Sequence, residues 1–292
     1  MIKLNDIIKK NNLKIKKIEK IGKVTIVETD KEKLALKNTH IDEKIIAYLK
    51  SRNFDYMPLI LENKEYNVVR YINDYNIPKE QKLEDLVKLT ALLHNKTTHY
   101  KKIDIEKIEK LFEQLKNNIN YLYSLYTDKI TLIESKIFMS PSEQLFAANI
   151  TDLYKGLDNN KKKLSEWYEI VKNKKRERNV VIHNNLKIDH FLRNEKSYLI
   201  SWDKSKIDSP VFDLYKLYRN EPDTNFEEIL EIYEKSYPLT KDEKLLLELL
   251  IEIPEDISFK ETEYERCKQI IREIDKSLPK TLKHGKKQES KN

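Results

Sequence analysis

Between residues 14 and 37 the chain alternates polar and β-branched apolar positions with a period of two. Gly22-Lys23 and the polar run 30–33 interrupt the alternation. This pattern predicts three strands, 17–22, 24–29 and 34–37, forming an antiparallel meander. The spacing then lengthens. Ile45, Ile46 and Leu49 recur at helical intervals and predict a helix over 40–53. Two further strand-like runs, 59–62 and 67–72, flank a turn at Asn63-Lys64. The resulting β-β-β-α-β-β order fills residues 14–72, after a short amphipathic helix or irregular start over 1–12.

Beyond Pro78 the period changes to that of helices. Leu83, Leu86, Val87, Thr90, Leu93 and His94 share one side of a helix over 83–94, and a long amphipathic helix follows over 105–126. Ser140-Pro141 opens another, since Ser caps and Pro suits the first turn; it runs to about residue 174, with an interruption expected near Gly156. Residues 180–182 and 198–202 are short strands, and Ser209-Pro210 starts a helix bearing Val211, Leu214, Tyr215 and Tyr218. Helices over 225–236, 241–252 and 260–278 complete the body. The reading is α+β: a small antiparallel β-rich lobe over 1–75, a larger helical lobe over 76–279 and a basic, disordered tail over 280–292.

Composition narrows the chemistry. The 292 residues include only 3 glycines, too few and too scattered for a dinucleotide-binding Gly-rich loop or a Walker loop. A single cysteine, Cys267, excludes an internal disulfide and a cysteine-based zinc site. No apolar run approaches the ~20 residues of a membrane span, and the N-terminus lacks a signal-peptide apolar core, so a cytoplasmic protein is expected. The net charge of +7 is concentrated in 172–178 and in the tail. Neither basic run interleaves the aromatic residues that a nucleic-acid stacking surface needs, and they are read as a solvated helix end and a tail rather than a nucleic-acid interface.

The informative stretch is Val181-Ile182-His183-Asn184-Asn185-Leu186-Lys187-Ile188-Asp189-His190-Phe191-Leu192, followed by Ile200-Ser201-Trp202-Asp203 and Asp213-Leu214. It resembles the aminoglycoside phosphotransferase/choline kinase superfamily, whose pattern is H-x-D-x-x-x-x-N, a strand ending I-D-[WF]-[DE], and a D-L opening a helix. Leu89-Thr90-Ala91-Leu92-Leu93-His94-Asn95-Lys96-Thr97 is similar to a helix end of the CotS-type spore-coat kinase-like group. Leu34-Ala35-Leu36-Lys37 resembles the third-strand segment that ends in the nucleotide-binding lysine, and 66–71 resembles the hinge strand. The resemblance covers about residues 14–275 and implies a bilobal kinase-like fold with ATP and Mg²⁺ in the interlobe cleft. It further implies Lys37 on the phosphates, paired with Glu43 (or the adjacent Asp42), and His183 and Asp213 as supports of the catalytic loop.

The departures carry equal weight. The superfamily's catalytic Asp falls on Asn185, its metal-binding loop Asn on His190, and its metal-binding Asp on Ser201. An amide cannot accept the substrate proton, and a hydroxyl is a weak ligand for a hard cation. Asp203, two residues beyond Ser201, and Asp189, beside His190, are the carboxylates that could stand in. Three functions are expected from these residues. The first is a pseudokinase that binds nucleotide or a protein partner. The second is an active phosphotransferase on a hydroxylated small molecule or protein, using a shifted carboxylate. The third is a coat-type structural protein, located in the spore coat if the organism sporulates.

Overall fold

The computed structural model describes residues 13–63, 66–257 and 262–277. The expectations for residues 1–12 and for the tail from 280 onward fall outside them. The fold is mixed α+β, with a small antiparallel sheet and a larger helical part.

Five strands build the sheet: β1 (Ile15–Ile21), β2 (Val24–Thr29), β3 (Lys33–Lys37), β4 (Ile60–Asn63) and β5 (Asn67–Arg70). Their order is β1-β2-β3-β5-β4, and every pairing is antiparallel. Gly22 makes the first turn at φ +58°, a conformation that costs a glycine little. Because side chains alternate across a strand, the two faces separate cleanly. Val27, Leu34, Leu36 and Val68 form a buried cluster with Leu13. Ala35, Lys37, Asn67 and Val69 project from the opposite face into a cavity. The register Ala35↔Val69 and Lys37↔Asn67 brings them together. Helix α1 (Glu43–Ser51), shorter than expected, is capped by Asp42, whose carboxylate accepts from Lys44 N–H at 2.9 Å.

The chain divides into two compact units, Met1–Lys101 with Arg178–Leu239, and Lys102–Glu177 with Thr240–Asn292. The first holds the five-stranded sheet, α1, α2 (Lys79–Thr97), β8 (Phe191–Arg193), β9 (Ser197–Leu199), β10 (Lys206–Asp208), α5 (Val211–Asn220) and α6 (Phe226–Ser236). Strands β6 (His99–Lys102) and β7 (Arg176–Ile182) join β10 in a small sheet of order β10-β7-β6. Only β7 and β9 correspond to strands read from the sequence. The others are three or four residues long, too short for a period to show.

The second unit is helical: α3 (Ile105–Glu134), α4 (Pro141–Lys172), α7 (Lys241–Glu252) and α8 (Glu263–Ser277). Helix α4 packs against the other three. Its start is the expected one, a Ser140–Glu143 capping box with Pro141 in the first turn. The interruption expected at Gly156 does not occur, because glycine serves here as a contact rather than a break. A Cβ built on Gly156 would lie 2.5 Å from the Cβ of Ser277, so its absence is what lets α4 and α8 approach. The basic run 172–178 is largely engaged. Lys172 pairs with Glu169 and Lys174 with Asp242, while Arg178 donates to the Pro238 carbonyl and covers the Tyr237 ring. No helix among the described residues is long and apolar enough to cross a membrane.

The crossing gives a direct test of packing. Gly156→Ala should destabilise the protein by about 1–3 kcal/mol through overpacking. Adding Ser277→Gly should return part of that loss in a double-mutant cycle followed by denaturant unfolding. Equal stability of Gly156→Ala and wild type would refute the close contact.

Candidate functional site

The site is built where buried strand β7 ends. Val180, Val181 and Ile182 are fully buried, and the chain emerges into the loop 183–190. Asp213, in the first turn of α5 and fully buried, holds the loop's start. It accepts the His183 N–H at 2.7 Å and the Asn184 N–H at 2.6 Å. It also accepts from His94 Nε2 at 3.1 Å, and the Tyr233 hydroxyl bonds the other nitrogen of that ring at 2.6 Å. Asn184 is held at φ +57°, a left-handed conformation that Asn tolerates better than most residues.

The rest of the loop is fastened at several points. Asn220 Nδ2 donates to the Leu186 carbonyl at 2.6 Å, and the Ile188 N–H donates to Glu221 at 3.0 Å. His190 closes the loop on itself: its Nδ1–H donates to the Asn185 carbonyl at 2.7 Å. The following hairpin is bound in as well. The Ile200 N–H donates to the His190 carbonyl at 2.9 Å, and His183 Nε2–H donates to the Ile200 carbonyl at 2.8 Å. Burial, before any other cause, lowers the His183 pKa and lowers that of His190 to about 4. Both rings are therefore neutral near pH 7.

Ser201 adopts φ +66° and turns the chain into a short 3₁₀ segment, Trp202–Lys204. Trp202 is buried, donates Nε1–H to the Leu199 carbonyl at 2.7 Å and meets the His183 ring edge-on at 4.9 Å. Asp203 projects from this turn and pairs with Lys37 Nζ at 2.5 Å, the two side chains being only 14% and 23% exposed. The expected partner, Glu43, is not the one used. It stands exposed in the first turn of α1, where a carboxylate favours the helix dipole, and Asp42 is occupied by capping. Asp189 is likewise exposed and pairs with Lys187.

Lys37 and Ser201 lie at the edge of a cavity of about 740 Å³, its mouth included. Val24, Ala35 and Val69 from the sheet line it together with Leu192, Ile200 and Trp202. Tyr71 and Ile72 also border it. The Arg70 and Tyr71 N–H groups are used by the Leu59 and Lys33 carbonyls, whereas Ile72 makes no backbone hydrogen bond among the described residues. A flat heterocycle would find apolar surfaces and one free peptide edge here, with a lysine for an attached phosphate. The fit to Mg²⁺ is poor. The available donors are an amide (Asn185), a hydroxyl (Ser201), an imidazole (His190) and one carboxylate already tied to Lys37. Mg²⁺ takes carboxylate and phosphate oxygens in octahedral geometry.

The structure thus brings Lys37, His183, Asn185, His190, Ser201, Asp203 and Asp213 into one neighbourhood and leaves Glu43 outside it. Two contributors were not read from the sequence as parts of the site: Tyr233 and Glu221. Their only signal was a hydroxyl or carboxylate on an otherwise ordinary helical stretch.

Comparison of this fold with solved structures gives extensive matches at low identity. An aminoglycoside phosphotransferase from Alicyclobacillus acidocaldarius superposes with a TM-score of 0.62 at 11% identity, covering 90% of this chain and 89% of that one. Choline kinase LicA from Streptococcus pneumoniae gives 0.51 at 16% identity, covering 94% and 99%. A spectinomycin phosphotransferase bound to AMP gives 0.53 at 12% identity, covering 91% and 94%. The chain therefore has the fold of these phosphotransferases. No family model matches it, and no curated protein matches it.

The lowered His190 pKa predicts a pH dependence. Unfolding returns the ring to about 6.5, so the unfolded chain binds the extra proton between that pH and about 4. The contribution is complete above pH 6.5 and is lost as pH falls through this window. Moving from pH 7.5 to 5 should cost the wild type on the order of 2 kcal/mol more than His190→Gln, measured by urea unfolding. Parallel pH profiles would contradict the buried, neutral ring.

Proposed function

We propose that the protein is a nucleotide-binding pseudokinase. Its slot holds the base and its Lys37 holds the phosphates, while phosphoryl transfer is lost or vestigial. The observation that carries this reading is the Lys37–Asp203 pair at 2.5 Å. Among the described residues Asp203 is the carboxylate that pairs with Lys37, the lysine that would hold the nucleotide. In-line phosphoryl transfer relies on positioning and on charge neutralisation at the phosphates. Asn185 cannot act as a base, and the donor set does not suit Mg²⁺. Under this reading residues up to 75 form the nucleotide side, 76–279 carry the loop, and the ligand-bound state serves a binding or scaffolding role toward a protein partner. That the AMP-bound neighbour shares the fold supports a nucleotide in the slot.

The geometry of Asp203 also favours a second reading, in which it replaces the missing metal-binding carboxylate and the protein is a divergent, active phosphotransferase. One substitution separates the two. If Asp203 only competes for Lys37, Asp203→Asn removes an anion from beside the phosphates and should tighten ADP binding by about 3–10-fold, as expected for one partly buried charge. Lys37→Ala should weaken it at least as much. Titration calorimetry with ADP measures both. Wild-type ATP turnover that disappears in Asp203→Asn would establish the active reading instead, and wild-type protein that binds no adenine nucleotide would defeat both.

A further inference from the structure

Strand β1 lies at one edge of the five-stranded sheet and pairs only with β2 among the described residues. Its outer row of backbone N–H and C=O groups therefore has no neighbouring strand to bond. All seven of its residues are exposed. Three are isoleucines, Ile15, Ile18 and Ile21, at 38%, 51% and 56% exposure. The segment 14–23 around them holds five lysines against one glutamate, Glu19, which pairs with Lys17 at 3.1 Å. Lys16, Lys20 and Lys23 have no ion-pair partner among the described residues.

The register says where these side chains point. Residues opposite one another on paired strands share a face. Ile18 and Lys20, opposite Val27 and Thr25, lie on the face of the buried cluster. Lys17, Glu19 and Ile21, opposite Glu28, Ile26 and Val24, lie on the cavity face. Isoleucine and lysine thus occur on both faces. Neither face is the apolar surface that lipid requires, and the strand carries no aromatic ring for a base to stack on. What β1 offers along its whole length is its backbone edge.

Lysines on an edge strand keep other strands away, but they do so selectively. A second copy of β1 would bring lysine against lysine. A strand bearing carboxylates would meet complementary charge, and its aliphatic residues would cover the exposed isoleucines. We propose that β1 is a docking edge for an extended acidic segment of a partner protein. The segment adds to the sheet as a sixth strand, with its carboxylates against the lysines and its aliphatic residues against the isoleucines. This gives the binding role proposed above a surface, and it does not depend on a nucleotide in the slot.

The test uses the full chain and a synthetic peptide of about ten residues built from glutamate and valine. Fluorescence polarisation measures binding, and amide hydrogen exchange locates it. The peptide should bind, more weakly as salt is raised. It should slow exchange within residues 15–21 by about 10-fold or more while leaving β4, at the opposite edge, unchanged. The same peptide methylated at every backbone nitrogen keeps its charge but cannot complete a ladder, and should bind at least about 10-fold more weakly. The double variant Lys16→Glu, Lys20→Glu, first shown to be folded by circular dichroism, should lose the acidic peptide by a similar factor. It should gain affinity for the counterpart in which lysine replaces glutamate. Equal binding of the methylated peptide would mark β1 as a charged patch only and overturn the proposal. It is overturned equally by protection confined to another strand, by unchanged binding to the charge-reversed variant, or by no binding of the acidic peptide at any salt. Tighter binding to vesicles of anionic phospholipid or to single-stranded DNA than to the peptide, or self-association of the wild-type chain through β1, also overturns it.

Discussion

Asp213 is a carboxylate shut away from solvent, and the candidate site depends on how it is satisfied. A buried charge without hydrogen bonds would cost several kcal/mol. Asp213 avoids that cost with two backbone N–H groups from the loop, His183 and Asn184, and one ring nitrogen from His94. The same bonds fix the left-handed turn at Asn184, and from there the course of the chain to His190. Tyr233 closes the far side of His94, so α2, α5 and α6 all meet at this one group. Loop position is thereby separated from loop chemistry: the atoms that hold the backbone are none of the atoms that would act on a substrate.

That separation leaves the start of the loop fixed independently of which side chains it carries at Asn185 and His190. Ser201 keeps a positive φ, the turn after it remains, and Trp202 still seals the hairpin against His183. Lys37 finds its counter-charge two residues beyond Ser201, and two neutral imidazoles, His183 and His190, stand nearby.

The sheet was legible in the sequence because a half-buried antiparallel strand writes a period of two, and Gly22 marks its first turn. The helix start at Ser140 was legible through capping chemistry; the helix lengths were not, since tertiary burial extended α2 and α3 past their clearest apolar spacing. Gly156 misled because a glycine that ends a helix and one that admits a neighbour look identical in one dimension. At the site, the loop and its supports were expected from the family resemblance that residues 181–192, 200–203 and 213–214 carry. The partner of Lys37 could not. A carboxylate 166 residues away leaves no local trace, whereas acidic residues just after the strand, Asp42 and Glu43, compete for the same reading and are taken up by the helix end.

The division into units has a consequence for the order in which the molecule can be made. Neither unit is continuous: 102–177 is inserted into the first, and 178–239 separates the halves of the second. A ribosome releasing the chain from its N-terminus delivers the five-stranded sheet early, but His183 and Asn184 have no acceptor until residue 213 has emerged, and His94 no hydroxyl until residue 233. Closing contacts over such separations is entropically slow. The apolar wall of the cavity, Val24, Ala35 and Val69, is therefore synthesised well before Leu192, Ile200 and Trp202 arrive to cover it. During that interval the nascent sheet is the part of the protein most in need of a chaperone, and conditions that slow elongation between residues 70 and 190 should expose it longest.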